Sequence, residues 1–202
     1  MGLTLDPDAS RRLAEFGRLL TRWNAVHNLT AIRSPDEVLT HHLLDSLSLV
    51  PQLLRLSGGQ PVRVLDVGAG GGLPGIPLAI TRPEVEVTLV DAVQEKVAFI
   101  TQAALELRLR NAHARHSRVE ALGLPAFPLI TSRAFASLAD FVSLTRDALA
   151  PGGWWLAMKG VYPEAEIAAL PEFAQVREVV ELRVPGLGEA RHLVLMQASD
   201  AA

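Results

Sequence analysis

The chain has 202 residues, 49% of them hydrophobic, with a mean hydropathy of +0.24: enough for one compact soluble α/β domain and a small appendage. It contains no cysteine, which excludes disulfides, thiolate metal sites, iron–sulfur clusters and a cysteine nucleophile. A formal charge of −3 argues against indiscriminate nucleic-acid binding, although all but two of the 19 basic residues are arginine, the side chain suited to planar bidentate contacts.

The chain opens on "MGLTLDPDAS", acidic where a signal peptide would be basic and then apolar. The longest uncharged run, Val67 to Thr81, is too short and too glycine-rich to cross a bilayer. A cytoplasmic chain with no membrane association is expected. In "SRRLAEFGRLLTRWN", Leu13, Phe16, Leu20 and Trp23 share one face of an amphipathic helix. Asn24, Asn28 and Thr30 cap its end and the following turn. A second helix opens at Ser34 as N-cap, with Pro35 in the first turn and Glu37 closing a capping box. It runs through Leu39, Leu43, Leu47 and Val50 to Pro51. His41, His42 and Asp45 on this helix read as a polar face or nucleic-acid contacts; no second acidic cluster supports a metal pair, and no metal site is expected. Residues 1–57 thus form an N-terminal helical extension, and 58–202 the core of one structural domain overall.

Past "SGGQP" the period changes. "VRVLDV" (62–67) reads as a buried strand, followed by a glycine loop and a helix entered at Pro74. "VEVTLVDA" alternates with period two and ends on Asp91. The next helix places Val97, Ile100, Ala104 and Leu107 on one face. A short strand near Ala112–His116, a buried strand over 127–134, a helix started by Ser137 with Asp140, and a strand over 154–159 follow in turn. The "APGG" tetrapeptide separates the last two. This alternation specifies parallel strands with crossover helices. The tail, "VREVVELRV" and "RHLVLMQA", has two strands joined by a loop so short that they must be antiparallel. The fold class is therefore α/β: a Rossmann-like, mostly parallel sheet with one antiparallel strand at its end, contributed by a C-terminal hairpin, plus the N-terminal helical extension.

The segment "RVLDVGAGGGLPGIPLAI" carries the chemistry. Gly68, Gly70 and Gly72 let the backbone turn sharply and approach a ligand with no Cβ in the way. Asp91 ends the next strand nineteen residues past Gly72, where an acid can accept from both hydroxyls of an adenosine ribose. Counted from Gly68, the dinucleotide pattern requires its third glycine at Leu73, so that register fails. Asp66, Gly68, Gly70 and Gly72 satisfy acid-x-Gly-x-Gly-x-Gly, the pattern of S-adenosylmethionine binding in class I methyltransferases, which share a seven-stranded sheet with an antiparallel hairpin. An NAD-type oxidoreductase stays open as a rival.

"NLTAI", "HLLDSL", "GLPGIPLAI", "SRVE", "SRAFASL" and "MKG", in this order and spread from Trp23 to the "RHLVLM" strand, resemble the bacterial 16S ribosomal RNA guanine-N7 methyltransferases, the glucose-inhibited division protein B family. The resemblance implies transfer of a methyl group from S-adenosyl-L-methionine to N7 of one guanine in the 530-region loop of 16S rRNA. The expected partner is that RNA, naked, in an assembly intermediate or in the small ribosomal subunit, and the expected state is a monomer. It places Gly68 and Leu73 at the cofactor, Val119 and Glu120 at its adenine, and Arg133 beside it; Gly70 and Asp91 join them from the glycine-loop pattern. His41 stands where the family pattern has Arg. Arg133 and Lys159 end the fourth and fifth core strands, where methyltransferases place substrate-facing groups, and are the catalytic candidates. Guanine N7 carries an in-plane lone pair and no proton, so no general base is required, and a cation can contact guanine O6. RNA binding at −3 then predicts a basic face built from residues such as Arg33, Arg115, Arg118, Arg177 and Arg183. A methyltransferase acting on another RNA, a protein or a small molecule, and a cofactor-binding partner without catalysis, are the other readings.

Overall fold

A computed structural model describes residues 2–133, 135 and 137–199. At its centre lies a seven-stranded sheet, ordered β3-β2-β1-β4-β5-β7-β6. The strands are β1 (Val62–Val67), β2 (Val85–Asp91), β3 (Ala112–His116), β4 (Phe127–Ser132), β5 (Leu149–Lys159), β6 (Ala174–Glu181) and β7 (His192–Ala198). Strands β1 to β5 pair in parallel, while β7 runs antiparallel to both β5 and β6. The single antiparallel strand is thus not at the edge as expected, but inserted one place in from it. Chain order reverses at β1, with β2 on one side and β4 on the other, which opens a crevice beyond their C-terminal ends.

Strand periodicity divides the core in two. Val64, Leu129, Leu156 and Leu195 face one apolar cluster, and Leu65, Ile130, Trp155 and Met196 face the other. The first cluster is roofed by helices α1 (Pro7–His27), α4 (Val50–Ser57), α5 (Gly75–Thr81) and α6 (Gln94–Glu106). Helix α7 (Leu138–Thr145) covers the second cluster through Leu138, Phe141 and Val142. The N-terminal helices share the sheet's own core: Phe16 of α1 stacks 6.1 Å from Phe99 of α6, and Trp23 meets the same ring at 5.6 Å. In α6 the buried face centres on Phe99, Ile100 and Ala103, with Val97 and Ala104 at its margins.

Several local expectations change. Ser34 takes the N-cap position, but its side chain makes no capping bond, so the predicted box does not form. The second helix is composite: α2 (Pro35–Glu37), a π-helical segment Val38–Leu44 and α3 (Asp45–Leu47), with α4 continuing beyond Pro51. Leu39, assigned to its apolar face, is half exposed because the π turn rotates the stripe. Strand β5 begins at Leu149, taking in "APGG", which a register shift against β4 leaves bulged between the Leu149 and Trp154 pairings. Strand β4 ends at Ser132, two residues early, and residue 134 lies outside the described residues. A short helix α8 (Glu164–Ala168) follows β5 with no counterpart in the sequence reading. Ser137 caps α7 as expected, accepting from Asp140 N at 3.1 Å.

Helix α5 lies tightly against the sheet at Gly75, where a Cβ would sit 2.5 Å from Leu89 Cδ2 and 2.7 Å from Asp66 Oδ2. Gly75→Ala is expected to cost the upper part of the about 1–3 kcal/mol typical of overpacking. Gly188→Ala, with open space around the added carbon, should change little. Urea unfolding of the two variants checks this; equal midpoints would contradict it.

Candidate active site

Two connected hollows occupy the crevice at the C-terminal ends of β1, β2, β4 and β5, and Gly68 and Lys96 line both. The first, of about 400 Å³, is walled by Gly70 and Leu73 of the glycine loop, Arg133 after β4, Lys159 at the end of β5 and the loop holding Thr30. The second, of about 330 Å³, is bounded by Asp91, Ser117, Val119 and Glu120. Gly68, Gly70, Leu73, Asp91, Val119, Glu120, Arg133 and Lys159 therefore border this groove, while Gly72 and Asp66 of the glycine-loop pattern do not line it.

The glycine loop adopts the geometry its composition suggests. Gly68, Gly70 and Gly72 have φ of +67°, +55° and +75°, the left-handed region that glycine enters without strain. At Gly72 a Cβ would also lie 2.7 Å from Ile76 Cγ1. Two carboxylates hold this loop from below. Asp91 Oδ2 accepts Gly70 N at 2.9 Å while its Oδ1 accepts Val93 N at 2.9 Å, leaving further lone pairs toward the second hollow. Asp66, fully buried, accepts Gly75 N through Oδ2 at 2.8 Å, and its Oδ1 has no partner. Burial pushes the Asp66 carboxyl up from 3.8 to about 7.

Arg133 and Lys159 each meet an acid. Arg133 Nη1 lies 2.8 Å from Asp45 Oδ2, and Lys159 Nζ lies 2.7 Å from Glu166 Oε2. Asp45, nearly buried, also receives Arg191 Nε at 3.2 Å, so one carboxylate sits between two guanidinium groups. The π-helical segment contributes to this contact. Asp45 N donates to Thr40 O and His42 O rather than His41 O, and His41 O accepts Arg133 Nη1 at 3.1 Å and His42 Nδ1 at 3.0 Å. Arg133 Nη2 also lies 3.4 Å from His42 Nδ1, but the shorter 3.0 Å contact to a carbonyl, which only accepts, favours the proton on Nδ1, with Nε2 accepting the Thr30 hydroxyl at 2.7 Å. Burial, aided by the Arg133 charge, lowers His42 to about 4, so its ring is neutral at pH 7. The Thr30 loop is further tied by Asn24, whose Oδ1 accepts Thr30 N at 2.8 Å and whose Nδ2 donates to Ile32 O at 2.9 Å.

Two groups bordering the groove escaped the sequence reading. Lys96 stands in the first turn of α6, and Arg191 immediately precedes β7. Parallel strands bring their C-terminal ends to a ligand, but β7 is antiparallel and brings its N-terminal end there. Lys96 had a legible signal in its place just past Asp91, at a helix start facing the same crevice. The expected single basic face does not form: Arg115 is on β3 and Arg177 on β6, at opposite edges of the sheet.

Residues 9–194 match the family described as rRNA small subunit methyltransferase G. The chain belongs to that family. Among its relatives, the ribosomal RNA small subunit methyltransferase G of Leptothrix cholodnii is 53% identical over 197 residues, covering 98% of this chain and 90% of the relative. The protein of the same name from Neisseria meningitidis is 49% identical over 196 residues, covering 97% and 92%. Solved structures agree on the fold, that of class I S-adenosylmethionine-dependent methyltransferases. An Aquifex aeolicus SAM-dependent methyltransferase superposes with a TM-score of 0.61 at 19% identity, covering 81% of this chain and 98% of that one. A Thiobacillus denitrificans SAM-dependent methyltransferase in complex with S-adenosyl-L-homocysteine gives 0.57 at 14%, covering 90% and 98%.

Asp66 and His42 impose opposite pH dependences. A carboxyl raised to about 7 in the folded state makes stability fall as pH rises from about 4 to 7. A histidine lowered to about 4 makes stability fall as pH drops from 6.5 to about 4. Over their shared window the two trends offset. Relative to the parent chain, Asp66→Asn should gain stability as pH rises from 4 to 7, and His42→Gln should gain as pH falls from 6.5 to 4. Denaturant titrations at several pH values measure both differences, and pH-independent differences would contradict the assignments.

Proposed function

We propose that this chain transfers the methyl group of S-adenosyl-L-methionine to N7 of a guanine in the 530-region loop of 16S ribosomal RNA, within the small subunit or an assembly intermediate. The observation that carries the reading is the groove: bare glycine backbone and an aspartate at one end, and the cations Arg133, Lys159 and Arg191, each facing a carboxylate, at the other. The residues fit the cofactor. Gly68 and Gly70 present backbone without a Cβ, the remaining Asp91 lone pairs can accept ribose hydroxyls, and Val119 with Glu120 can take an adenine face and its amino group. The cofactor supplies a methyl group made electrophilic by the sulfonium sulfur that carries it. Leu73, which lines the first hollow, would pack at the methionine half.

The other hollow suits an acceptor that needs no deprotonation. Asp45, the one acid among the described residues lining it, is held by two arginines, and His42 is committed to Thr30 and His41. An amine or hydroxyl acceptor would require a proton to leave, whereas guanine N7 requires only alignment of its lone pair with the methyl group. Arg133 or Lys159 can donate to guanine O6 and hold the base in line. The N-terminal helices bring the Thr30 loop, His41 and His42 to this hollow, and so would form part of the RNA surface. His41, where the family pattern has Arg, has Nε2 3.7 Å from Glu189 Oε1 and can still offer a hydrogen bond.

The reading predicts that methyl-labelled S-adenosylmethionine, incubated with small subunits from cells lacking this methylation, places label in 7-methylguanosine at a single site. Label in another nucleoside, or in protein alone, would overturn it. Asp91→Ala should raise the cofactor dissociation constant about tenfold or more, as for loss of a charge-assisted hydrogen bond; unchanged affinity by calorimetry would remove the ribose role. Arg133→Ala should lower turnover about a hundredfold, and a parental rate would reduce it to a partner of Asp45.

A further inference from the structure

The turn between β5 and α8 puts two large apolar side chains into solvent beside the groove. Val161 is 76% exposed and Tyr162, the chain's one tyrosine, 55%. They follow Lys159 and Gly160, which line the first hollow. The turn is anchored on both sides. Gly160 O accepts His192 Nδ1 at 2.9 Å, and Pro163, directly after the tyrosine, is buried at the start of α8. The imidazole of His192 meets the Tyr162 ring edge-on, at 90° and 5.8 Å between centroids. The ring is therefore oriented by a neighbour yet open to solvent, and that contact reduces the freedom to be lost when something covers it.

We infer that Tyr162 is a stacking platform for an unpaired nucleobase flanking the methyl acceptor, so that the RNA strand crosses the ends of β5 and β7. This rests on the RNA reading above. Charge favours such a platform over a purely electrostatic grip. Three of the four lysines and arginines lining the first hollow, Arg133, Lys159 and Arg191, already face a carboxylate, Lys96 being the fourth, and the chain as a whole is acidic. Phosphate neutralisation at the mouth is therefore limited. Base–aromatic stacking supplies affinity without net charge and tolerates any base. An exposed ring one turn from a catalytic candidate is what this geometry offers, and Val161 beside it widens the apolar surface that a splayed base would cover.

The test is steady-state methyl transfer to small subunits lacking the methylation, with Tyr162 replaced by Ala, Phe and Trp. Tyr162→Ala should raise KM for the subunits about tenfold. Its kcat at saturation, melting temperature and cofactor affinity should stay at parental values. Tyr162→Phe and Tyr162→Trp should restore KM, since both keep a ring. The slope of log KM against log salt should be unchanged in Tyr162→Ala, because a stacked base neutralises no phosphate. A parental KM in Tyr162→Ala, or a loss in Tyr162→Phe as large as that in the alanine variant, would overturn the platform alone. Absence of transfer from the parent chain to any RNA would overturn the RNA reading along with it.

Discussion

The Asp45 carboxylate lies 2.8 Å from Arg133 Nη1 and 3.2 Å from Arg191 Nε, and these three residues come from three distant parts of the chain. Asp45 sits where the N-terminal helices reach the groove, Arg133 in the loop after β4, and Arg191 just before β7. Remove the carboxylate and two guanidinium groups face each other across a half-dry wall; remove the arginines and a buried charge is stranded. Breaking such a contact from one side costs about 3–5 kcal/mol, so the interaction constrains how the helices can sit on the sheet. The π-helical segment is part of the same arrangement, because it leaves His41 O available to Arg133.

From that contact the chemistry of the groove follows. The Asp45 carboxylate is engaged by two guanidinium groups, and the neighbouring His42 imidazole is neutral and already bonded at both nitrogens. What remains is a wall of cations that can orient an acceptor electrostatically, with the His41 imidazole beside it. On the other side of Gly68 the loop is held by Asp91 and Asp66 rather than by a basic side chain, so its backbone stays bare toward a ligand. The division of labour between the two hollows is the physical basis for assigning one to an adenosine and the other to a base with an unprotonated ring nitrogen.

Much of this was legible in the chain because period and punctuation agree. Strands β1 to β3 were readable to within a residue, β1 and β2 because their buried β-branched runs end at glycine and aspartate. Gly68, Asp91, Val119, Glu120, Arg133 and Lys159 all follow strands whose C-terminal ends meet at one edge, so their convergence follows from parallel topology. What was missed depends on geometry that sequence period does not encode. A π turn shifts the stripe of the second helix and exposes Leu39. A bulged "APGG" joins β5 instead of ending a helix. Arg191 reaches the groove only because β7 runs backwards between β5 and β6. The Asp45–Arg133 pair spans 88 positions, and nothing local announces it.

The most direct measurement is a crystal structure of the chain grown with S-adenosyl-L-homocysteine. The account predicts the ribose hydroxyls on Asp91, the adenine between Val119 and Glu120, and the sulfur directed past Gly68 toward Arg133 and Lys159, with the Asp45–Arg133 contact intact. Adenosine found in the hollow beside Arg133, or an Asp91 carboxylate turned away from the ribose, would contradict it.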